Sequence, residues 1–96
     1  MSSRVVLSPT VVRHTLWYFG DRNLGEDGGS FVARLFQLIA VADMENRGKL
    51  SEHWPEHVSA FAVAATTPWG MDWLRGLAKA AEVDVDQLDM IGADRG

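Results

Sequence analysis

The sequence contains no cysteine, and this absence excludes several kinds of chemistry at once. Without thiols the chain has no disulfide framework, no thiolate zinc site and no cysteine nucleophile. A reducing compartment is compatible with such a chain, so we expect a cytoplasmic protein. No cofactor is implied by the residue types that remain.

Long apolar runs are missing as well. The first seven residues carry a single charge, and their apolar run is far shorter than a signal peptide requires. No stretch approaches the roughly 18 uninterrupted apolar residues of a membrane-spanning helix. We therefore expect a soluble protein without membrane contact.

Positive charge is scarce relative to negative charge, since 9 Lys and Arg residues face 13 Asp and Glu residues, for a net charge of -4. Much of the acid follows residue 81, where only Arg95 opposes a group of carboxylates, namely Glu82, Asp84, Asp86, Asp89 and Asp94. Such a tail repels phosphate backbones. Sequence-independent binding of nucleic acid is therefore disfavoured.

The composition is that of an ordinary globular protein. Hydrophobic residues make up 47% of the 96 residues and charged residues 23%, far from the profile of a disordered chain. This length accommodates one hydrophobic core. We expect one small helical domain over residues 1–96, with a short flexible N-terminus (1–7) and an acidic C-terminal tail (83–96).

One stretch, residues 30–43, reads as the central amphipathic helix of an all-α fold. Its large apolar side chains fall on an arc of roughly 160° of the helical wheel, and the predicted inward residues are Phe31, Val32, Leu35, Phe36, Leu38, Ile39 and Ala42. Ser30 follows two glycines and is the expected N-cap. We predict a compact bundle of four or five short helices around this one.

The first helix is predicted over residues 9–19. Ser8 can cap it, and Pro9 suits the first helical position because proline has the right φ and no amide to leave unpaired. A strand is the alternative, because residues 11–19 are rich in β-branched and aromatic types. The glycine-rich and acidic residues 20–29 form a loop.

Three further helices are predicted from capping and proline signals. Asp43 is the expected cap of a helix that ends or kinks at Trp54, because Pro55 disfavours helical backbone in the residue before it. A second helix follows from Pro55. Its predicted buried stripe is Val58, Phe61, Ala62 and Ala65.

The last helix is predicted to enter at Thr67 and Pro68 and to end near residue 81. Its predicted inward residues are Trp69, Trp73, Leu74, Leu77 and Ala81. Beyond it, one short turn is expected around residues 88–91.

Three short patterns match part of a catalytic or metal-binding motif, but each lacks a structural requirement of that motif. His53, Glu56 and His57 match the letters of the zinc-protease pattern H-x-x-E-H, but Pro55 falls between histidines that must share one continuous helix. The glycines at 20 and 25 are followed by acid where a phosphate loop needs Lys and Ser or Thr. The pair Asp84 and Asp86 lacks the glycine and final glutamate of a calcium loop. We expect no enzyme activity.

Arginines beside helix ends are expected to bind backbone carbonyls or carboxylates, with Arg22 and Arg47 as the candidates. Four tryptophans are many for this length. Trp54 and Trp73 are assigned to the core, whereas Trp17 and Trp69 are expected to be partly exposed. Because tryptophan is frequent in interface hot spots, the candidate interaction surface comprises Trp17, Trp69 and Arg22. That all four tryptophans only complete a small core is an equally weighted alternative.

Across roughly residues 15–75, a series of short motifs follows one order: Tyr18-Phe19, Arg22-Asn23, Gly29-Ser30-Phe31, Ala42-Asp43, Asn46-Arg47, Leu50 and Trp54-Pro55-Glu56. This order resembles that of small accessory proteins of mycobacteriophage-like actinobacteriophages, where the pattern YF…GSF…AD…NR…L…FPE recurs. Trp54 departs from it, since Phe is usual there. The resemblance implies a phage origin and action in the host cytoplasm, and it implies no catalytic residue.

Two functions of different classes follow from these observations. The first is a non-enzymatic protein–protein interaction module, a phage accessory protein acting on a host or phage protein through its tryptophan-bearing surface and able to self-associate as a homo-oligomer. The alternative is a small regulatory or nucleic-acid adaptor protein, in which Arg4, Arg13 and Arg22 contact phosphates.

Overall fold

The computed structural model describes residues 6–81, which form five helices and no strand. The helices are α1 (Pro9–Tyr18), α2 (Gly29–Val41), α3 (Met44–His53), α4 (Pro55–Thr66) and α5, which runs from residue 70 to residue 81. The predicted all-α bundle is therefore confirmed. The expectations for Arg4, for the turn at residues 88–91 and for the acidic tail lie outside the described residues.

Two of the predicted helix starts have the expected capping geometry. Ser8 precedes α1 in an extended conformation, and its Oγ accepts a hydrogen bond from the Val11 amide at 3.3 Å. Asp43 precedes α3, and its carboxylate accepts from the Asn46 amide at 2.8 Å. Residues 11–18 are helical, so the strand alternative for this segment is wrong.

The start of α2 differs from the prediction. The helix begins at Gly29, one residue before Ser30, and its N-cap residue, Gly28, has no side chain that could accept a hydrogen bond. Instead, the Asp27 carboxylate accepts from the Gly29 amide at 2.9 Å. Gly29 has a φ of 89°, a left-handed conformation that glycine adopts without steric strain. This backbone turn moves the capping role from Ser30 to Asp27.

The buried face of α2 is narrower than the predicted arc. Leu35, Phe36 and Ile39 are buried as expected, but the side chains of Phe31 and Leu38 are 64% and 50% exposed. The physical reason is that α2 packs mainly against α4 and less extensively against α1. Two partners cover one side of the helix and leave the neighbouring apolar side chains in solvent.

The hydrophobic core consists of two clusters. The first joins α1 to α5 through Val12, Leu16, Leu74 and Ala78. The second joins α2 to α4, with aromatic rings from the end of α1 packed against it, and its buried members are Leu35, Phe36, Ile39 and Phe61. Helix α4 contacts α1, α2 and α3, so it shares with α2 the central place in the bundle.

The chain is interrupted between α3 and α4 as predicted. Trp54 has φ -130° and ψ 60°, outside the helical region, and α4 begins at Pro55. Helix α3 has no fully buried residue, and it is held by Leu50 and by Trp54 beyond its end, which pack against the second cluster. On α4 the buried residues are Ala60 and Phe61, while the predicted inward Ala65 is exposed.

The entrance to α5 is not the predicted cap. The Thr67 hydroxyl donates back to the Val63 carbonyl of α4 at 2.6 Å, and helix α5 begins at Gly70. A Cβ at position 70 would lie 2.0 Å from the Val63 carbonyl oxygen, so only glycine permits this close approach. With Leu74 and Ala78 facing α1, Trp69 and Trp73 project outward. The inward orientation predicted from the helical pattern is therefore wrong for both, whereas the partial exposure also expected of Trp69 is observed.

Asp21 fixes the loop between α1 and α2 internally and attaches it to α5. The Asp21 carboxylate accepts from the amides of Asn23 and Leu24, each at 2.9 Å, and from Nε of Arg75 on α5 at 2.8 Å. Gly25 lies so close to α1 that a Cβ there would be 2.4 Å from the Trp17 amide nitrogen. The loop is therefore a fixed part of the bundle.

None of the helices within residues 6–81 combines the length and the apolar character that crossing a lipid bilayer requires.

Candidate interaction surface

Trp69 and Trp73 form an exposed aromatic pair at the start of α5. Their ring centroids are 6.3 Å apart and the ring planes meet at 86°, an edge-to-face contact. The two residues are 56% and 44% exposed. The backbone beneath them is fixed, because the Gly70 amide donates to the Thr67 carbonyl and the Trp73 amide donates to the Trp69 carbonyl. This arrangement holds two large aromatic rings in solvent at a constant angle.

Charged groups border this tryptophan pair on one side. Arg75 lies between two carboxylates, with Nε 2.8 Å from Asp21 and Nη1 2.8 Å from Asp72. The contact with Asp21 fixes the α1–α2 loop, and the contact with Asp72 remains at the surface, where the Asp72 side chain is 84% exposed. An apolar centre with a polar edge is the usual composition of a protein-binding patch.

Trp17 and Arg22 form a separate unit at the end of α1. The Arg22 guanidinium lies 4.0 Å above the centre of the Trp17 ring, and its Nη1 donates to the Trp17 carbonyl at 2.9 Å. This carbonyl belongs to the last turn of α1, and it also accepts from the Gly20 amide at 3.0 Å. Arg22 therefore acts as the structural clamp that the sequence favoured, and its cation–π contact covers one face of Trp17.

A pocket of about 160 Å³ lies beside Trp17, between α1 and the start of α2. Its walls include Trp17, Arg22, His14, Tyr18 and Phe36. The His14 ring packs so tightly on the loop that a Cβ at position 28 would lie 2.9 Å from it. The pocket thus brings Trp17 and Arg22 together but does not include Trp69.

A second exposed apolar region lies between α2 and α3, and the sequence did not predict it. A groove of about 270 Å³ runs between the two helices, lined by Leu38, Val41, Ala42, Asn46, Lys49 and Leu50. Val41 is 81% exposed, and the neighbouring Met44 is 91% exposed. The sequence does contain one indication of this groove: the apolar arc of α2 is wider than the surface that a single neighbouring helix covers.

The residues of the H-x-x-E-H pattern have structural surroundings. His53 is exposed in the last turn of α3, whereas Glu56 and His57 belong to α4, where Glu56 accepts a hydrogen bond from the Ser8 amide. His57 packs 5.7 Å from the Phe36 ring, and burial lowers the pKa of its imidazole by more than the nearby Glu56 carboxylate raises it. Among residues 6–81, no three His, Asp or Glu side chains are grouped so that they could hold a metal ion.

The remaining arginines of interest make intramolecular contacts. Arg47 donates from Nε to the Ile39 carbonyl at 3.0 Å and lies 5.6 Å from the Phe61 ring centre, so it clamps the end of α2. Arg13 lies 3.6 Å from the Glu26 carboxylate. Of the three arginines assigned to phosphate contact, Arg13 and Arg22 are thus engaged within the protein.

Comparison with protein-family models, curated proteins and solved structures gives no match for this chain.

Proposed function

We propose that the protein is a non-enzymatic interaction module that binds an apolar segment of another protein on the Trp69–Trp73 pair. The observation that carries this proposal is the exposure of two tryptophan rings at a fixed edge-to-face angle. Ordering flexible side chains on binding costs free energy, and rings that are already positioned avoid part of that cost. Exposed tryptophans of this kind commonly contribute most of the energy of an interface.

The partner that fits this surface has aliphatic or proline side chains that enter the angle between the two rings. Flat aromatic faces bind such groups by removing apolar surface from water, which contributes about 25 cal/mol per Å². The resemblance of the motif order to that of actinobacteriophage accessory proteins supports a partner from the phage or from its host. Trp17 and Arg22 contribute little to this surface, because they cover one another.

The test is an affinity capture from actinobacterial lysate, read by mass spectrometry, with wild type, Trp69→Ala and Trp73→Ala as parallel baits. We expect one protein to be retained by wild type and lost with either variant while circular dichroism remains unchanged. Val41→Ser is the matched control, because it removes an apolar side chain that is 81% exposed on a different surface.

Direct binding of the captured protein is then measured with purified components by calorimetry. Removal of a hot-spot tryptophan should weaken binding at least about thirtyfold, which corresponds to about 2 kcal/mol. Equal capture by wild type and by both folded tryptophan variants would contradict the proposal. Equal loss with Val41→Ser would assign the binding to the groove between α2 and α3 instead.

A further inference from the structure

The pocket between α1 and the start of α2 is lined by apolar side chains on its inner side. Phe36 is fully buried, and Tyr18 and Val32 are half-buried, so these three residues form the part of the pocket that lies furthest from solvent. The volume of about 160 Å³ is close to the roughly 150 Å³ of an apolar cavity that holds one benzene molecule. The inner part therefore has room for one ring or one branched aliphatic side chain.

Two opposite charges line the solvent-facing part of the same pocket. Arg22 and Asp27 are both exposed wall residues, and neither forms an ion pair with the other or with any further residue from 6 to 81. Arg22 donates from Nη1 to the Trp17 carbonyl, and Asp27 accepts at Oδ1 from the Gly29 amide. The second terminal atom of each group, Nη2 and Oδ2, is thus available to a ligand at the mouth of the pocket.

Both charged groups are held in place by contacts within the protein. The Arg22 guanidinium is fixed by its 2.9 Å hydrogen bond to the Trp17 carbonyl and by its position 4.0 Å above the centre of the Trp17 ring. The Asp27 carboxylate is fixed by its 2.9 Å hydrogen bond to the Gly29 amide. A ligand that meets them avoids part of the free-energy cost of ordering flexible side chains. The pocket is therefore organised before a ligand enters.

The pair of opposite charges selects a ligand that carries both signs. An anion would meet the Asp27 carboxylate, and a cation would meet the Arg22 guanidinium, whereas a dipolar ligand forms a charge-assisted hydrogen bond with each. An α-amino acid has an ammonium group and a carboxylate on the carbon that bears its side chain. In a polypeptide the N-terminal residue lacks that carboxylate and the C-terminal residue lacks that ammonium group. The arrangement therefore fits a free amino acid better than either end of a chain.

We propose that this pocket binds a free α-amino acid with a large apolar side chain. The side chain enters the inner part of the pocket, the carboxylate meets Arg22, and the ammonium group meets Asp27. An aromatic side chain suits the site best, because its ring gains edge and face contacts with the rings of Tyr18 and Phe36. Trp69 does not line the pocket, so this binding is separate from the interaction proposed for the Trp69–Trp73 pair.

The first test is a titration of the full chain with L-phenylalanine, followed in two-dimensional amide NMR spectra. We expect saturable shifts of the amides that line the pocket, among them Gly28 and Gly29, with a dissociation constant below about 1 mM. Glycine is the control ligand, because it carries both charges but no side chain, and it should bind at least about tenfold more weakly. Absence of saturable shifts with phenylalanine, or equal binding of glycine, would overturn the proposal.

Two blocked forms of the ligand test whether both charges are recognised. Phenylalanine amide keeps only the ammonium group and represents the N-terminal residue of a chain, whereas N-acetylphenylalanine keeps only the carboxylate and represents the C-terminal residue. Each should bind at least about tenfold more weakly than phenylalanine, because one charge-assisted hydrogen bond is lost. Either blocked form binding as tightly as phenylalanine would show that the pocket takes one end of a polypeptide, which would overturn the proposal.

Matched variants locate the binding in the pocket. Asp27→Asn removes the charge but keeps an oxygen that can accept from the Gly29 amide, and it should weaken phenylalanine binding at least about tenfold. Ala33→Leu places a larger side chain in the pocket wall and should abolish binding, whereas Ala40→Leu makes the same change at an exposed position of α2 outside the pocket and should have no effect.

The folding of each variant is checked by circular dichroism, and Asp27→Asn decides if Ala33→Leu is unfolded. Wild-type affinity in a folded Asp27→Asn or Ala33→Leu variant would contradict the assignment to this pocket. Trp69→Ala should bind phenylalanine like wild type. Loss of phenylalanine binding in that variant would place the amino acid on the Trp69–Trp73 pair and overturn the proposal.

Discussion

Asp21 is the residue on which the connection between the α1–α2 loop and α5 depends. Its side chain is only 7% exposed, and it accepts hydrogen bonds from two loop amides and from Arg75. The hydrogen bond from the Leu24 amide, followed by that from Arg75, holds the pKa of the Asp21 carboxyl below its ordinary value. Local spacing in the sequence shows the turn but cannot show a partner that lies 54 residues away.

Replacing Asp21 with Ala should lower the free energy of unfolding at pH 7 by about 1–2 kcal/mol, because three donors, two of them part-buried, lose a charged acceptor. The folded carboxyl binds its proton less tightly than the unfolded one. Its contribution is therefore complete above about pH 4 and is lost as the pH falls through the lowered folded pKa. Urea unfolding at pH 7 and pH 3 measures both effects.

Asp72→Ala is the matched control for this residue. Asp72 also contacts Arg75, but its side chain is 84% exposed, so its removal should change stability by less than about 0.5 kcal/mol. A loss at pH 7 that is equal for the two variants, or a difference between wild type and Asp21→Ala that does not shrink as the pH falls from 7 to 3, would contradict the assigned role.

At the scale of single helices, the two glycines of α5 provide a matched comparison. Gly70 is pressed against α4, where an added Cβ would meet backbone atoms of Val63, whereas a Cβ at Gly76 meets nothing within 4 Å. Gly70→Ala should destabilise the protein by about 1–3 kcal/mol through overpacking. Gly76→Ala should stabilise it by about 0.5–1 kcal/mol, because alanine is the better helix former. Thermal unfolding of both variants gives the two signs, and stabilisation by Gly70→Ala would contradict the described packing of α5 on α4.

The contrast between α1 and α5 shows which features of an element the sequence predicts. Ser8, Pro9 and Asp43 act locally, through bonds to amides three residues away, so α1 and α3 begin where the sequence places them. Which face of α5 points toward the core depends on the close contact between Gly70 and the Val63 carbonyl of α4. No local pattern encodes that contact, and Trp73 was consequently assigned to the core.

The same distinction applies to the candidate surfaces. The exposure of Trp69 and the clamp formed by Arg22 follow from residue type and position and were predicted. Trp73 as the second ring of the pair, and the groove between α2 and α3, depend on how two helices approach each other. The angles and distances between helices are set by side-chain packing across the whole bundle.

At the scale of the whole molecule, packing gives different environments to α2 residues of the same type. Leu35 is 5% exposed and belongs to the second core cluster, while Leu38 is 50% exposed. Leu35→Asp should unfold the protein, because it buries a charge without a partner. Leu38→Asp should keep the helical circular dichroism and a cooperative thermal transition. A folded Leu35→Asp variant would contradict the described core.

The division of the core into two clusters has a consequence for cooperativity. Helix α5 joins the remainder through Leu74 and Ala78, through the close contact of Gly70 with Val63 and through the contact of Arg75 with Asp21, whereas α2 and α4 share the aromatic cluster. Regions with separate cores can open at separate free energies, and amide hydrogen exchange measures each of them. We therefore expect amides in α5 to exchange faster than those in α2 and α4. Since Trp69 and Trp73 belong to the less protected part, occupation of the tryptophan pair should slow exchange throughout α5, including at amides that no partner touches.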